Sequence, residues 1–432
     1  MQVLIRLLVG NRDFRLLASA GLISMTGDWI LAVGLTYLVY SITGSTLASG
    51  AMLLASVLPS IVLGSIAGVL VDRWDRRRTM IVTNVLQIAG LIPLLFVHEA
   101  GSIWIVYLVA AYQGTVEQFF GPAEQAQIPH LVPDRDLLSA NGLNSQMRNA
   151  ARLVGSGSGG VIAALAGMGG LALVDAASFA IAAGLLTAIR FRPGSHASEP
   201  VDSLAQHASP RALARLVEEW RAGLATCARS LSLRVVLIFV AIASVGEGIM
   251  GTLFAPFVKD VLHGSGAAYG AIVGIQAVGG IIGGLCVASA GQKWSAYALF
   301  GFGALIFGLI DLALFLYPLV LSGIVPALVC MLLVGVPGAA AIAGETTTFQ
   351  TSTADRFRGR VWGTITAVQG CSLVIGIGIA SWLGETVGIV PIIALQGAGF
   401  VVGGLMVLVA LRNTAARAVN VVESDLAGDP TA

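Results

Sequence analysis

The chain has 432 residues, of which 56% are hydrophobic and only 11% are charged, with a formal net charge of +1. Soluble domains carry about 25% charged residues, so this composition excludes a water-soluble fold and indicates a hydrocarbon environment. The near-zero net charge gives no indication of nucleic-acid binding. The four cysteines are scattered through apolar runs without disulfide or metal-site spacing, and we interpret them as small apolar residues.

Apolar segments long enough to span a bilayer follow one another along the chain. About 20 apolar residues are needed for a helix to cross the hydrocarbon core. On that basis the sequence predicts an all-α membrane protein with twelve transmembrane helices. They lie near 15–40, 47–70, 79–97, 102–122, 138–165, 170–189, 235–258, 267–289, 296–316, 320–344, 362–384 and 388–411.

The polar stretches between these helices divide the chain into four parts. We predict an N-terminal six-helix bundle at 1–189 and a C-terminal six-helix bundle at 234–411. The linker, 190–233, contains apolar residues at helical spacing between Leu213 and Leu224, which predicts an amphipathic helix on the membrane surface. Residues 412–432 are predicted to form a tail, disordered from Val422 onwards.

The distribution of basic residues predicts the orientation. Lysine and arginine are concentrated in the cytoplasmic loops of membrane proteins. With the N-terminus in the cytoplasm, 23 of the 24 lysines and arginines fall on the cytoplasmic side, and only Lys259 falls outside. We therefore expect both termini, the linker and the tail to be cytoplasmic.

The two predicted bundles repeat one another in sequence. Gly27 and Asp28 correspond to Gly246 and Glu247 at an offset of 219 residues, and Trp74 corresponds to Trp294 at an offset of 220. A parallel repeat of six helices across a cytoplasmic linker predicts two halves related by a pseudo-twofold axis along the membrane normal.

The loop between the second and third predicted helices carries a recognisable motif. Residues 68–78 read GVLVDRWDRRR and resemble the signature G-x-L-x-D-R-x-G-R-R of the major facilitator superfamily, with Asp75 in place of the usual glycine. The resemblance implies that Asp72 latches the outward-facing state by contacting the start of the eleventh helix, near Arg358. The remaining motif residues are Gly68, which we expect to allow close helix approach, and the anchoring arginines Arg73, Arg76 and Arg77.

Other segments resemble one branch of that superfamily. Residues 120–123, 128–133, 138–143, 174–179 and 358–361 are similar to those of macrolide-efflux-like and enterobactin-exporter-like facilitators. This drug:proton antiporter branch implies a secondary transporter in a bacterial cell membrane that exports amphipathic or cationic small molecules. Export of a siderophore or a lipid, and facilitated transport or import of another solute, remain open alternatives.

The fifth predicted helix contains closely spaced glycines. Gly155, Gly157, Gly159 and Gly160 predict close packing against neighbouring helices, because small residues let helix backbones approach in a membrane. Drug antiporters carry a glycine–proline pair in this helix, whereas Ser156 stands at the proline position here. The resemblance to antiporters is weaker at this point.

Three acids within the predicted helices are candidates for proton coupling or cation binding. An ionised carboxylate near the bilayer midplane costs about 2.5–3.5 kcal/mol on insertion scales, and burial favours its protonated form. Asp28 and its repeat partner Glu247 are expected at matching depth around a central cavity. Glu117 either lines that cavity or pairs with Arg148 or Arg152. For Asp28 and Glu247 the alternative is a neutral carboxylic acid with a purely structural role.

The sequence gives no indication of an enzyme. Its five histidines are not at metal-ligand spacing, and it contains no G-x-x-x-x-G-K-[ST] phosphate-binding loop. We therefore expect no cofactor or metal. The expected partners are a small-molecule substrate, protons and the lipid bilayer, and we expect no binding to nucleic acid. The protein is expected to be a monomer. A membrane-embedded sensor is the alternative from another functional class.

Overall fold

A computed structural model describes residues 10–71, 74–97, 99–133, 136–189, 224–353 and 358–427. Most of the predicted linker helix, together with Asp72 and Arg73 of the motif, lies outside this part of the chain. The first half contains α1 (Arg12–Thr43), α2 (Thr46–Val71), α3 (Arg76–Leu91, continued by the 3₁₀ turn Ile92–Phe96), α4 (Ile103–Leu131) and α5 (Leu137–Thr187). The second half contains α6 (Leu231–Pro256, continued by the π-helical turn Phe257–Val261), α7 (Gly266–Ala290), α8 (Ala296–Leu316), α9 (Val325–Ser352), α10 (Arg358–Thr386) and α11 (Ile389–Ala427).

These helices account for the twelve predicted membrane crossings. Ten helices of the described chain are long and apolar enough to span a membrane. One of them, α5, is interrupted at Gly167, whose φ of 61° and ψ of −157° suit a residue without a Cβ atom. It therefore supplies two crossings, here called α5N (137–166) and α5C (168–187). The twelfth crossing is α4, whose mean hydropathy is lowered by polar residues such as Gln113 and Gln118.

One predicted helix end and part of the predicted disorder are wrong. We predicted that the fourth helix ends near residue 122, but α4 continues through Pro122 to Leu131. The last helix continues beyond 411 to Ala427, so the segment predicted to be disordered from Val422 is helical through 427. Alanines in this extension have the highest helix propensity of all residues.

Asp75, the residue that departs from the motif, caps a helix. Its carboxylate accepts a hydrogen bond of 2.7 Å from the backbone N–H of Arg78, which satisfies one of the free donors at the N-terminus of α3. The negative charge is also favourable beside the positive end of the helix dipole. The substitution of glycine by aspartate thus stabilises the start of α3.

The internal repeat is visible in the packing of the two halves. In the first half, the backbone of Gly27 in α1 lies directly against Asp175 and Ser178 of α5C. In the second half, a Cβ atom on Gly246 of α6 would lie 3.0 Å from the side chain of Gln396 in α11. In each half, the glycine before the candidate acid thus leaves room for a polar side chain from the sixth helix.

The two halves meet at one end of the molecule. Here Tyr37 of α1 stacks on Tyr269 of α7 with ring centroids 6.0 Å apart, and Thr46 of α2 donates a 3.0 Å hydrogen bond to the carbonyl of Ser381 in α10. Val33 of α1 is buried within a cluster of second-half side chains. We call this the closed end; the other end, at which α1 and α6 begin, is the terminal end.

Candidate functional site

A cavity of about 220 Å³ lies within the first half, toward the terminal end. Asp28 of α1 and Glu117 of α4 line it, so the structure brings these two predicted acids together. Its other polar lining residues are Ser24, Thr83, Asn84, Gln87, Gln118, Glu124 and Arg148. We call it the N-terminal cavity.

The ion pair in this cavity is not one that we predicted. Arg148 of α5N donates a 2.6 Å hydrogen bond to Glu124 of α4, whereas the sequence suggested Glu117 as its partner. Glu124 is only 2% exposed, and its carboxylate lies against the backbone of Gly21 in α1. Sequence analysis missed Glu124, although it follows Glu117 by seven residues and therefore lies on the same face of α4, two turns further along.

A second cavity of about 120 Å³ lies within the second half, also toward the terminal end. Glu247 of α6 lines it together with Glu345 of α9. Phe349 and Trp362, with ring centroids 5.4 Å apart, also line this cavity. Asp28 and Glu247 therefore occupy equivalent but separate cavities rather than a single one.

Arg152 of α5N connects the two halves between these cavities. Its guanidinium group donates a 3.2 Å hydrogen bond to the side-chain oxygen of Gln276 in α7. The guanidinium carbon also lies 5.2 Å from the ring centroid of Trp29, a cation–π geometry, and the group is within electrostatic range of Glu247. The structure therefore associates Arg152 with Glu247 rather than with Glu117.

Two further acids within the helices are buried and line neither cavity. Asp175 of α5C and Asp311 of α8 are 0% and 1% exposed. Ser178 donates a 3.2 Å hydrogen bond to one carboxylate oxygen of Asp175. Neither acid lines a cavity described above, which fits a structural role.

All four glycines of α5N pack closely against neighbouring helices. Gly155 and Gly159 lie against the backbone of α1, and Gly160 lies against Gly266 of α7 in the other half. A Cβ atom on Gly157 would meet nothing within 4 Å, but the backbone of Gly157 is itself closely approached by α7. Here the close approach depends on α7, where a Cβ on Gly274 would lie 3.2 Å from the Cα of Gly157.

Arg76 and Arg77 of the loop motif form their hydrogen bonds with residues of the first half. Arg77 donates a 2.9 Å hydrogen bond from Nε to the carbonyl of Leu186 at the end of α5C, where a cation is favourable, and Arg76 contacts His130 of α4. A Cβ atom on Gly68 would have no described neighbour within 4 Å, so the close approach at Gly68 stays a prediction. The latch role of Asp72 stays a prediction.

Polar contacts hold the closed end together. Tyr40 of α1 donates a hydrogen bond to Asp260, which follows α6, and Lys259 donates a 3.2 Å hydrogen bond to the carbonyl of Ser41. Ser45 donates a 2.5 Å hydrogen bond to Glu385 at the end of α10. These bonds join the halves across the end opposite the two cavities.

Comparison with known proteins decides the family. A family model described as transmembrane secretion effector, of the major facilitator superfamily, matches residues 9–429. The chain is a major facilitator. The macrolide efflux protein A of Streptococcus pyogenes is 21% identical over 85% of this chain and 88% of its own length. The staphyloferrin A transporter of Staphylococcus aureus is 23% identical over 88% of this chain and 91% of its own length.

Solved structures confirm the facilitator fold. A bacterial homologue of the iron transporter ferroportin, crystallised in an inward-facing state, superimposes with a TM-score of 0.70 over 92% of this chain and 98% of that chain, at 16% identity. An uncharacterised facilitator of Bacillus subtilis, YfiS, is 29% identical, but the alignment covers only 39% of its length. The activity and substrate of this facilitator are therefore matters for proposal.

The closed end gives a first prediction. We expect Tyr40→Phe to increase the fraction of facilitator molecules open at this end, because the substitution removes the hydrogen bond to Asp260, and a hydrogen bond contributes a net of about 0.5–1.5 kcal/mol to stability. The fraction is measured as the labelling rate of a cysteine introduced at Tyr37, after the exposed Cys286 and Cys371 are replaced. Tyr112→Phe is the control, because Tyr112 donates to Leu86 within the first half. Equal labelling rates in both variants would contradict the prediction.

Proposed function

We propose that this facilitator exports amphipathic or cationic small molecules in exchange for protons by alternating access. The observation that carries the proposal is the position of Asp28, a carboxylate on the wall of the N-terminal cavity. A carboxylate that binds either a proton or a cationic substrate makes the two compete, and occupancy then biases which end is open. Glu247 has the equivalent position in the second half.

The proposed orientation sets the direction of loading. With both termini in the cytoplasm, as the basic residues predict, the terminal end faces the cytoplasm and the closed end faces outward. Substrate would then enter both cavities from the cytoplasm of a bacterial cell, and the facilitator would act as a monomer. The names of the macrolide efflux and staphyloferrin A relatives support transport of small molecules.

The test is transport by purified protein in liposomes with an imposed pH gradient. We expect the gradient to drive flux of ethidium, a cationic amphipathic probe, and a protonophore to abolish that flux. Asp28→Asn should reduce gradient-driven flux at least tenfold, because the amide cannot exchange a proton. The matched control is Asp311→Asn, which neutralises a buried aspartate outside the cavities and should retain flux within twofold.

The outcomes separate the alternatives. Full gradient-driven flux in Asp28→Asn would remove Asp28 from the coupling mechanism. Ethidium flux that does not depend on the pH gradient would indicate facilitated transport or import rather than exchange for protons. If the pH gradient drives flux of a siderophore or a labelled lipid but not of ethidium, the alternative export functions are supported. If no probe is transported, a membrane-embedded sensor is favoured.

A further inference from the structure

The N-terminal cavity contains two buried amide side chains that sequence analysis missed. Asn84 and Gln87 of α3 are 1% and 5% exposed and lie on one face of the helix, since residues three apart are neighbours. Both line the cavity. Neither Asn84 Oδ1 nor Gln87 Oε1 has a hydrogen-bond partner among the described residues.

The orientation of the Asn84 amide is fixed by its own helix. Its nitrogen donates a 2.7 Å hydrogen bond to the carbonyl of Met80. Because a carbonyl can only accept, the amide nitrogen must face Met80, and Oδ1 is therefore the atom left without a partner. An unpaired buried acceptor is unfavourable, so two of them in one cavity wall point to a ligand that supplies donors.

Several donors of the same cavity are already engaged. Ser24, Thr83 and Gln118 donate to the carbonyls of Gly21, Met80 and Gly114 in their own helices, at 3.3, 2.9 and 3.0 Å. Arg148 donates to Glu124. The acceptors of this cavity that remain for a ligand are the two amide oxygens and the carboxylates of Asp28 and Glu117.

We propose that the N-terminal cavity binds a protonated primary or secondary amine. The carboxylates of Asp28 and Glu117 attract its charge, and its N–H groups donate to Asn84 Oδ1 and Gln87 Oε1. A quaternary ammonium group carries the same charge but has no N–H, so it leaves both amide oxygens unpaired. The inference rests on the proposed function, because it names the class of cation that the exporter carries.

A matched pair of probes tests the inference by equilibrium binding. The probes are 4-phenylbutylammonium and its N,N,N-trimethyl derivative, measured by isothermal titration calorimetry on the full-length protein in detergent. We expect the primary amine to bind at least tenfold more tightly. Gln87→Met, which keeps the side-chain length and removes one of the two acceptors, should reduce this preference, whereas Gln87→Glu, which keeps an acceptor, should retain it.

The control is a glutamine of the same kind in the other half. Gln396 of α11 is 2% exposed and also has an unpaired Oε1, but it lines neither cavity, so Gln396→Met should retain the preference. Equal affinity for the two probes, loss of the preference in Gln396→Met, or binding of neither probe would overturn the inference. Gradient-driven ethidium flux tests the proposed function separately. Failure of the amine preference can therefore be distinguished from failure of proton-coupled export.

Discussion

We expect Gly160→Val to abolish transport by preventing the closed end from forming. A Cβ atom at residue 160 would collide with the backbone carbonyl of Gly266 in α7, and a Cβ at residue 266 would lie 2.8 Å from the carbonyl of Gly160. Backbone atoms cannot move away as a side chain can. Overpacking costs about 1–3 kcal/mol, and each 1.4 kcal/mol changes an equilibrium tenfold. The population of the state with this end open, relative to the closed state, should therefore increase roughly fivefold to 140-fold.

The measurement is the distance between two spin labels across the closed end, at Leu47 and Val387, whose side chains are 59% and 55% exposed. We expect the long-distance population to dominate in Gly160→Val. The control, Gly184→Val, makes the same substitution in α5C, where a Cβ atom would meet nothing within 4 Å, and its distances should match those of the unmodified protein. A short distance in Gly160→Val would show that the glycine contact does not determine closure.

The fold could be predicted because its determinants are local and repetitive. Membrane crossing depends on the length of apolar runs, which the sequence displays directly, and the break at Gly167 falls between the fifth and sixth predicted helices. The ends of helices were less predictable. The two prolines in α4, Pro122 and Pro129, do not end the helix, since neighbouring groups in a membrane protein can satisfy the backbone groups that a proline frees.

The site was only partly predictable because its chemistry depends on neighbouring helices. The cost of charge in a membrane identified Asp28 and Glu247 as candidates, and both line cavities. Pairing depends on helix rotation: Glu124 rather than Glu117 accepts from Arg148, and the sequence alone does not give that rotation. Asn84 and Gln87 were not predicted, because an uncharged amide costs less than a carboxylate in a membrane and so stands out less in the sequence. Polar side chains in a spanning helix are nevertheless a usable signal.

The largest stability effect is expected at the Glu124–Arg148 pair. Arg148→Gln removes the cation that faces Glu124 and leaves a carboxylate that is only 2% exposed without its counter-charge. Breaking a buried ion pair costs about 3–5 kcal/mol, and we expect the lower end, because the Arg148 side chain is 36% exposed. Glu124→Gln should cost less, since that exposure lets water solvate the remaining guanidinium group.

A double-mutant cycle separates the pair from general packing effects. If the cost of each single variant arises from an unpaired charge, the double variant Glu124→Gln/Arg148→Gln should be more stable than Arg148→Gln alone, because neither charge remains. The free energy of unfolding is measured by denaturation of the purified protein in mixed detergent micelles. Additive losses in the double variant would instead mean that the two side chains stabilise the bundle independently. The 2.6 Å contact would then contribute packing rather than charge compensation.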